Sequence, residues 1–113
     1  MKKVLSIFGL LLAVIAVQAQ IYNPVTWEFS KENLGDDEVE LTFKANIEGH
    51  WHLYSQDIPE DGPIPTTFTY FSTDGFKELG SITEPEAITE FDPNFDMTLK
   101  YFDHEVVFTQ RIQ

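Results

Sequence analysis

The sequence contains no cysteine among its 113 residues. That excludes a disulfide, a thiolate metal site and a cysteine nucleophile within these residues. Basic residues are scarce. Seven Lys and Arg stand against nineteen Asp and Glu, for a formal net charge of −12. This balance argues against a nucleic-acid partner, because displacing counterions from a phosphate backbone needs Lys and Arg. A glycine-rich phosphate loop and a Gly-X-Ser-X-Gly setting for a nucleophilic serine are both missing. Beyond the N-terminal segment, no run of ten or more residues follows a helical period, and no repeat or low-complexity tract stands out. The length allows one domain.

What is present is apolar and aromatic. Hydrophobic residues make up 42% and aromatic residues 14%, too much for a disordered acidic tail. A chain this short buries only about 60–65% of its unfolded surface. With no disulfide to compensate, the core must be dense in large side chains, and ten Phe, four Tyr and two Trp fit that need.

The N-terminus has the layout of a secretory signal peptide. Lys2 and Lys3 precede an apolar run from Val4 to Val17, and Val17-Gln18-Ala19 offers a cleavage site. The run is shorter than the roughly 20 residues of a spanning helix, so no permanent membrane anchor is expected. No cysteine follows it, which excludes lipoprotein processing. Cleavage after Ala19 leaves a domain over 20–113. Removing nineteen residues from 113 leaves 94, and losing both signal lysines takes the charge from −12 to −14.

The remainder reads as all-β. Val39, Leu41, Phe43, Ala45 and Ile47 alternate with polar residues over ten positions, one face apolar and one wet. Val25, Trp27 and Phe29 repeat the pattern, and turn residues over 33–37 join the two as a hairpin. Further strands are expected over 50–55, 66–72, 76–82, 87–91, 97–101 and 105–113. A proline-rich loop over 56–65, a turn at Asp74-Gly75, and turns at Asp92-Pro93-Asn94 and Asp103-His104 separate them. Trp51 and Leu53 are expected to face the core. The last strand is either a final edge strand or the sign of a domain that continues. Short strands at this spacing predict an antiparallel sandwich or barrel.

Three groups of residues could carry chemistry. His50 and His52 share a strand face and could supply two metal ligands, with a third from His104 or a carboxylate. Against this stands a pair of half-exposed histidines flanking Trp51. Asp92, Asp96, Asp103 and Glu105 could act as acid and base or bind calcium, against the default of a solvated acidic rim. Phe95, between a turn and a strand start, is either a core plug or a loop-tip aromatic that covers something. No cofactor is expected.

Several segments together resemble a known family. They are Pro24-Val25-Thr26-Trp27, the run from Gly49 to Gln56 (GHWHLYSQ), Gly62-Pro63-Ile64-Pro65-Thr66 with Phe68, Phe91-Asp92-Pro93-Asn94-Phe95-Asp96-Met97, and Lys100-Tyr101-Phe102 with Val106 to Arg111. In this order and spacing they resemble the N-terminal (alpha) domain of the thiol:disulfide interchange protein DsbD family, from Asn23 to Ile112. The resemblance implies an immunoglobulin-like antiparallel β-sandwich in the periplasm. It implies partners too: a membrane-embedded electron donor and periplasmic thiol oxidoreductases. The family context is protein-disulfide reduction, with the working cysteine pair beyond the segment matching Val106–Ile112. The resemblance therefore implies a sandwich incomplete at its C-terminus, not redox-competent and not catalytic by itself. It also implies a cap loop, Asp92, Pro93, Asn94 and Phe95, with Phe95 shielding the cysteine pair. Two other readings stay open: a cysteine-free exported binding or structural module, and a secreted metal-binding domain using His50 and His52.

Overall fold

The computed structural model describes residues 23–113. The expected signal peptide and the start of the segment after it lie outside the described residues. Seven strands run in chain order: β1 (Val25–Gly35), β2 (Glu38–Ile47), β3 (Leu53–Tyr54), β4 (Glu78–Thr83), β5 (Ile88–Asp92), β6 (Met97–Phe102) and β7 (Glu105–Ile112). They form two antiparallel sheets, β1-β2-β7-β4 and β3-β6-β5. The chain passes between the sheets after β2, β3, β4 and β6, which is how two short sheets come to share one core.

The β1–β2 hairpin forms as its period-two pattern predicts. Phe29 faces Phe43 and Trp27 faces Ala45 across the ladder. Asp36 and Asp37 make the two-residue loop, both with positive φ (54° and 63°). That is the primed turn whose twist matches a hairpin, and Asp tolerates the left-handed region better than most residues.

The core lies where β2, β6 and β7 face one another. Ala45, Ile47, Phe102, Val106 and Phe108 are buried, with Val25, Trp27, Phe43, Leu53, Phe68, Ile82 and Ala87 packed around them. Phe108 is the centre: its ring lies 5.1 Å from Phe68, 5.8 Å from Phe102 and 6.0 Å from Trp27. Aromatic rings supply the missing cross-links through area rather than covalency.

Five expectations are corrected. Residues 66–72 join no ladder. Edge strands with a free side exist, but only the Thr66 hydroxyl reaches one, donating to the Tyr54 carbonyl of β3, and the segment's main chain pairs with none. The expected strand over 50–55 shrinks to Leu53–Tyr54. Gly49 at φ 59° and the Trp51 N–H donated to the Glu48 carbonyl fold the chain back first. Trp51 therefore belongs to the turn and is 51% exposed, while Leu53, the first residue of the strand, reaches the core. Asp74-Gly75 is a turn without a strand before it. Finally, β7 is no edge strand: it sits between β2 and β4, and Gln113 exchanges two backbone bonds with Lys77 (2.7 and 2.8 Å).

Candidate functional site

The β5–β6 hairpin builds the site. Asp92 pairs with Met97, leaving Pro93 to Asp96 as a four-residue loop. Its shape follows from local chemistry. The Asp92 Oδ1 accepts the Asn94 N–H at 2.8 Å, an Asx turn, and Asp96 closes the loop at φ 54°. The sequence places Asp92, Pro93, Asn94 and Phe95 together at a hairpin tip, and the structure keeps them there.

A cavity of about 160 Å³ lies beside this tip, lined by His52, Tyr54, Glu90, Phe91, Asp92, Pro93, Asn94, Leu99 and Tyr101. Register explains its construction. Tyr54 and Ile88 flank Tyr101 across β3-β6-β5, and Glu90 pairs with Leu99. Leu99 and Tyr101 share one side of β6, while Phe102 takes the other and enters the main core. Leu99 is almost fully buried beneath this outer cluster. His52 stacks on Tyr101 with ring centroids 4.0 Å apart. The Tyr101 hydroxyl donates to Glu90 Oε2 at 2.7 Å. That bond holds the phenol protonated, so its pKa is raised above the usual 10.0.

Phe95 is 40% exposed at the loop tip and does not line the cavity. Phe91, 56% exposed, does. The sequence reading missed Phe91, Glu90, Leu99 and Tyr101 as wall residues. The signal was there in the alternation of β5 and β6, but only a known register turns alternation into a shared face.

A shallower groove lined by Gly49, His50, Trp51, His52 and Tyr54 adjoins the cavity through His52 and Tyr54. His50 and His52 therefore lie together. Among the described residues, no cluster of three or more His, Asp or Glu could hold a metal ion. His104 sits in the β6–β7 turn at φ 61°. The four acids of the sequence cluster are split between two turns. Asp92 and Asp96 are at one end of β6, Asp103 and Glu105 at the other, about 20 Å away for six extended residues. Glu105 is engaged with Lys44 at 3.5 Å.

A buried latch positions the Tyr54 wall. Ser55, fully buried, donates its hydroxyl to Glu84 Oε2 at 2.5 Å. Glu84 Oε1 accepts the Gln56 N–H (2.9 Å) and the Gln56 Nε2 (3.0 Å). The Ser55 N–H donates to the Lys100 carbonyl at 3.0 Å. Glu84 follows β4 of the larger sheet, and Ser55 follows β3 of the smaller one. One carboxylate thus pins the two sheets together next to Tyr54, in a pocket separate from the cavity. Outside it, Lys100 pairs with Asp57 at 2.8 Å, and that bond raises the Lys100 pKa.

Chemically, the cavity offers rings, two carboxylates and an amide. It can recognise a partner group; it presents no thiol or activated nucleophile. Among the described residues no helix is long and apolar enough to cross a membrane.

Comparison with protein families gives one match: the model for "Thiol:disulfide interchange protein DsbD, N-terminal" covers residues 18–113. Comparison with curated proteins and with solved structures finds no match.

Proposed function

The chain belongs to the DsbD N-terminal family, and on that premise we propose that it is the scaffold and lid of an exported thiol–disulfide relay domain. Exchange requires a thiolate to attack a disulfide sulfur, forming a mixed disulfide and expelling the other sulfur as a thiolate. These 113 residues hold no such sulfur. On this reading the cysteine pair is contributed by polypeptide outside them, and these residues supply no sulfur for the exchange step.

The observation that carries the reading is the position of the β5–β6 loop. Asp92, Pro93 and Asn94 rim an aromatic cavity, and Phe95 stands exposed at the tip. An aromatic held over a sulfur blocks in-line approach and slows exchange with the wrong partner. Asp92 fixes the loop through its bond to Asn94, and Phe95 is the shield. The family implies dealings with thiol oxidoreductases. For this chain the partners are a membrane-embedded electron donor and periplasmic thiol oxidoreductases. Its location is the periplasm, reached by a signal peptide over 1–19 that is cleaved after Ala19.

The test is a titration of the isotopically labelled chain with a periplasmic thiol oxidoreductase. Amide shifts concentrated at 92–95 and around His52 and Tyr101 support the reading. Shifts elsewhere only, or none, refute it. Reading the gene past the codon for Gln113 is an independent check: an in-frame cysteine pair supports the relay. An immediate stop codon favours a cysteine-free binding module, to which the ring-and-carboxylate lining of the cavity is equally suited.

A further inference from the structure

Met97 carries the only sulfur atom in residues 20–113: there is no cysteine, and the other methionine is Met1 of the expected signal peptide. It pairs with Asp92 at the base of the β5–β6 loop, directly after Asp96 closes that loop at φ 54°. The base of the loop therefore depends on how Met97 is held. Its side chain shares a side of β6 with Leu99 and Tyr101. There it meets the proline-rich loop that follows β3. A Cβ placed on Gly62 would stand 3.1 Å from the Met97 Sδ, 3.0 Å from Ile58 Cγ2 and 3.1 Å from the Pro59 carbonyl oxygen. The sulfur thus takes up the space that the glycine leaves open.

The facing loop has little freedom to back away. The Gly62 N–H donates to the Pro59 carbonyl at 2.9 Å, and Asp57 pairs with Lys100 of β6 at 2.8 Å. A thioether suits such a gap, because it is apolar and flexible. A sulfoxide does not. It adds an oxygen that needs both room and a hydrogen-bond donor. The Gly62 N–H is already spent on Pro59, and the Ile58 side chain has none to give.

We propose that Met97 is an oxidation site at the root of the β5–β6 loop, with a peroxide as the oxidant. The sulfur lone pair attacks one oxygen of hydrogen peroxide. The S–O bond forms as the O–O bond breaks, and the second oxygen leaves as water with both protons. The thioether loses two electrons and the peroxide gains them. Met97 is half-buried, so a molecule this small reaches it without global unfolding. The sulfoxide parts the hairpin from the 57–63 loop and loosens residues 92–97. Its consequence for exchange rests on the lid reading above: an oxidised domain holds Phe95 less firmly over the sulfurs it shields.

Treating the purified, folded chain with hydrogen peroxide tests this, read by peptide mass spectrometry and hydrogen exchange. One added oxygen at Met97 is expected. Exchange in peptides spanning 57–63 and 92–99 should then rise at least about tenfold, while the β1–β2 hairpin is unchanged. Met97→Leu keeps the volume and removes the sulfur, so it should fold like the parent and show neither change under peroxide. Met97→Gln brings a polar group to the same place and should exchange fast without peroxide. A chain oxidised at Met97 only after unfolding in urea overturns the proposal. So does a sulfoxide that leaves exchange in both segments unaltered, or a Met97→Leu chain that peroxide loosens as much as the parent. None of these measurements involves the oxidoreductase, so a failed titration at 92–95 sinks the lid reading and leaves the oxidation site standing.

Discussion

Replacing Glu84 by alanine removes the carboxylate that receives Ser55 and Gln56 across the two sheets. Ser55 has no exposed surface while Glu84 is in place, so its hydroxyl loses its partner and regains one only from water entering the pocket that both residues line. A stranded buried donor costs about 1–3 kcal/mol, and bonds to a charged acceptor are at the stronger end of that range. Gln56 is half-buried and recovers part of its loss by hydration. Together these put Glu84→Ala at about 2–4 kcal/mol. At about 4–8 °C per kcal/mol for a domain of this size, the Tm falls by about 8–32 °C. Urea unfolding followed by far-UV circular dichroism measures it directly. Ser55→Ala removes the same bond from the other side and also frees the Asp57 N–H that the Ser55 hydroxyl accepts at 3.0 Å, but Asp57 is exposed and rehydrates, so the change costs less. In a double-mutant cycle the two changes are coupled by about 1–2 kcal/mol. If Glu84→Ala costs under about 0.5 kcal/mol, the range of an ordinary surface change, the carboxylate is not a latch. Zero coupling to Ser55 refutes the geometry even if the single variant is unstable.

Phe108→Ala removes the ring at the centre of the aromatic core and costs about 3–5 kcal/mol; loss of a cooperative melting transition is the expected outcome. Gln110, almost fully buried, donates its Nε2 to the Gly80 and Arg111 carbonyls. Gln110→Leu keeps the volume but strands an acceptor at the β4 irregularity, at about 1–3 kcal/mol by equilibrium unfolding. The phenols of Tyr101 and Tyr70 both titrate above 10.0, the first through its bond to Glu90, the second through burial and then the Glu78 charge. Their protonated forms are favoured by folding, so this contribution to stability is complete below pH 10.0 and is lost as pH rises through the raised values. Tyrosinate absorbance should show late-titrating groups, and Glu90→Gln should bring Tyr101 earlier; an unchanged titration contradicts the assigned bond. Phe95→Ala, at an exposed loop tip, should leave the urea midpoint within about 0.5 kcal/mol of the parent's stability while altering the amide shifts caused by the oxidoreductase.

The strands that could be read from the sequence are those whose pattern is enforced by one buried face. β2 shows this best: its alternation runs unbroken from Val39 to Ile47, and its hairpin with β1 is local. Residues 66–72 have equally good strand chemistry and fail, because whether a strand is used depends on a main-chain partner far along the chain. Trp51 fails for a different reason. It ends the turn that Gly49 allows, its N–H bonded to the Glu48 carbonyl, and the strand begins only at Leu53, so the alternation read from 50 does not yet apply to it. At the site, the loop Asp92 to Phe95 was legible because Asp-Pro-Asn writes its own turn. The cavity walls were not. Tyr54, Leu99 and Tyr101 meet only through the β3–β6 and β5–β6 registers, which no local signal fixes. The acids grouped in sequence near β6 separate for the same reason: a strand carries its two ends apart.

The division of labour between the sheets follows from these placements. The buried cluster draws on β2 and β7 of the larger sheet and on the inward face of β6. The candidate site uses the opposite side of that same strand, with Leu99 and Tyr101, and the loop joining it to β5. β6 is thus shared by both halves, as is the short β3, whose Leu53 packs on the core while Tyr54 lines the cavity. The outer residues of β6 can change to suit a partner without touching Phe102, provided the Ser55–Glu84 latch keeps β3 in register beside it. A loop of four residues closed by its own Asx turn needs nothing from the core to hold its shape. Such a loop can carry an exposed phenylalanine at small cost in stability, which suits the shield proposed for Phe95.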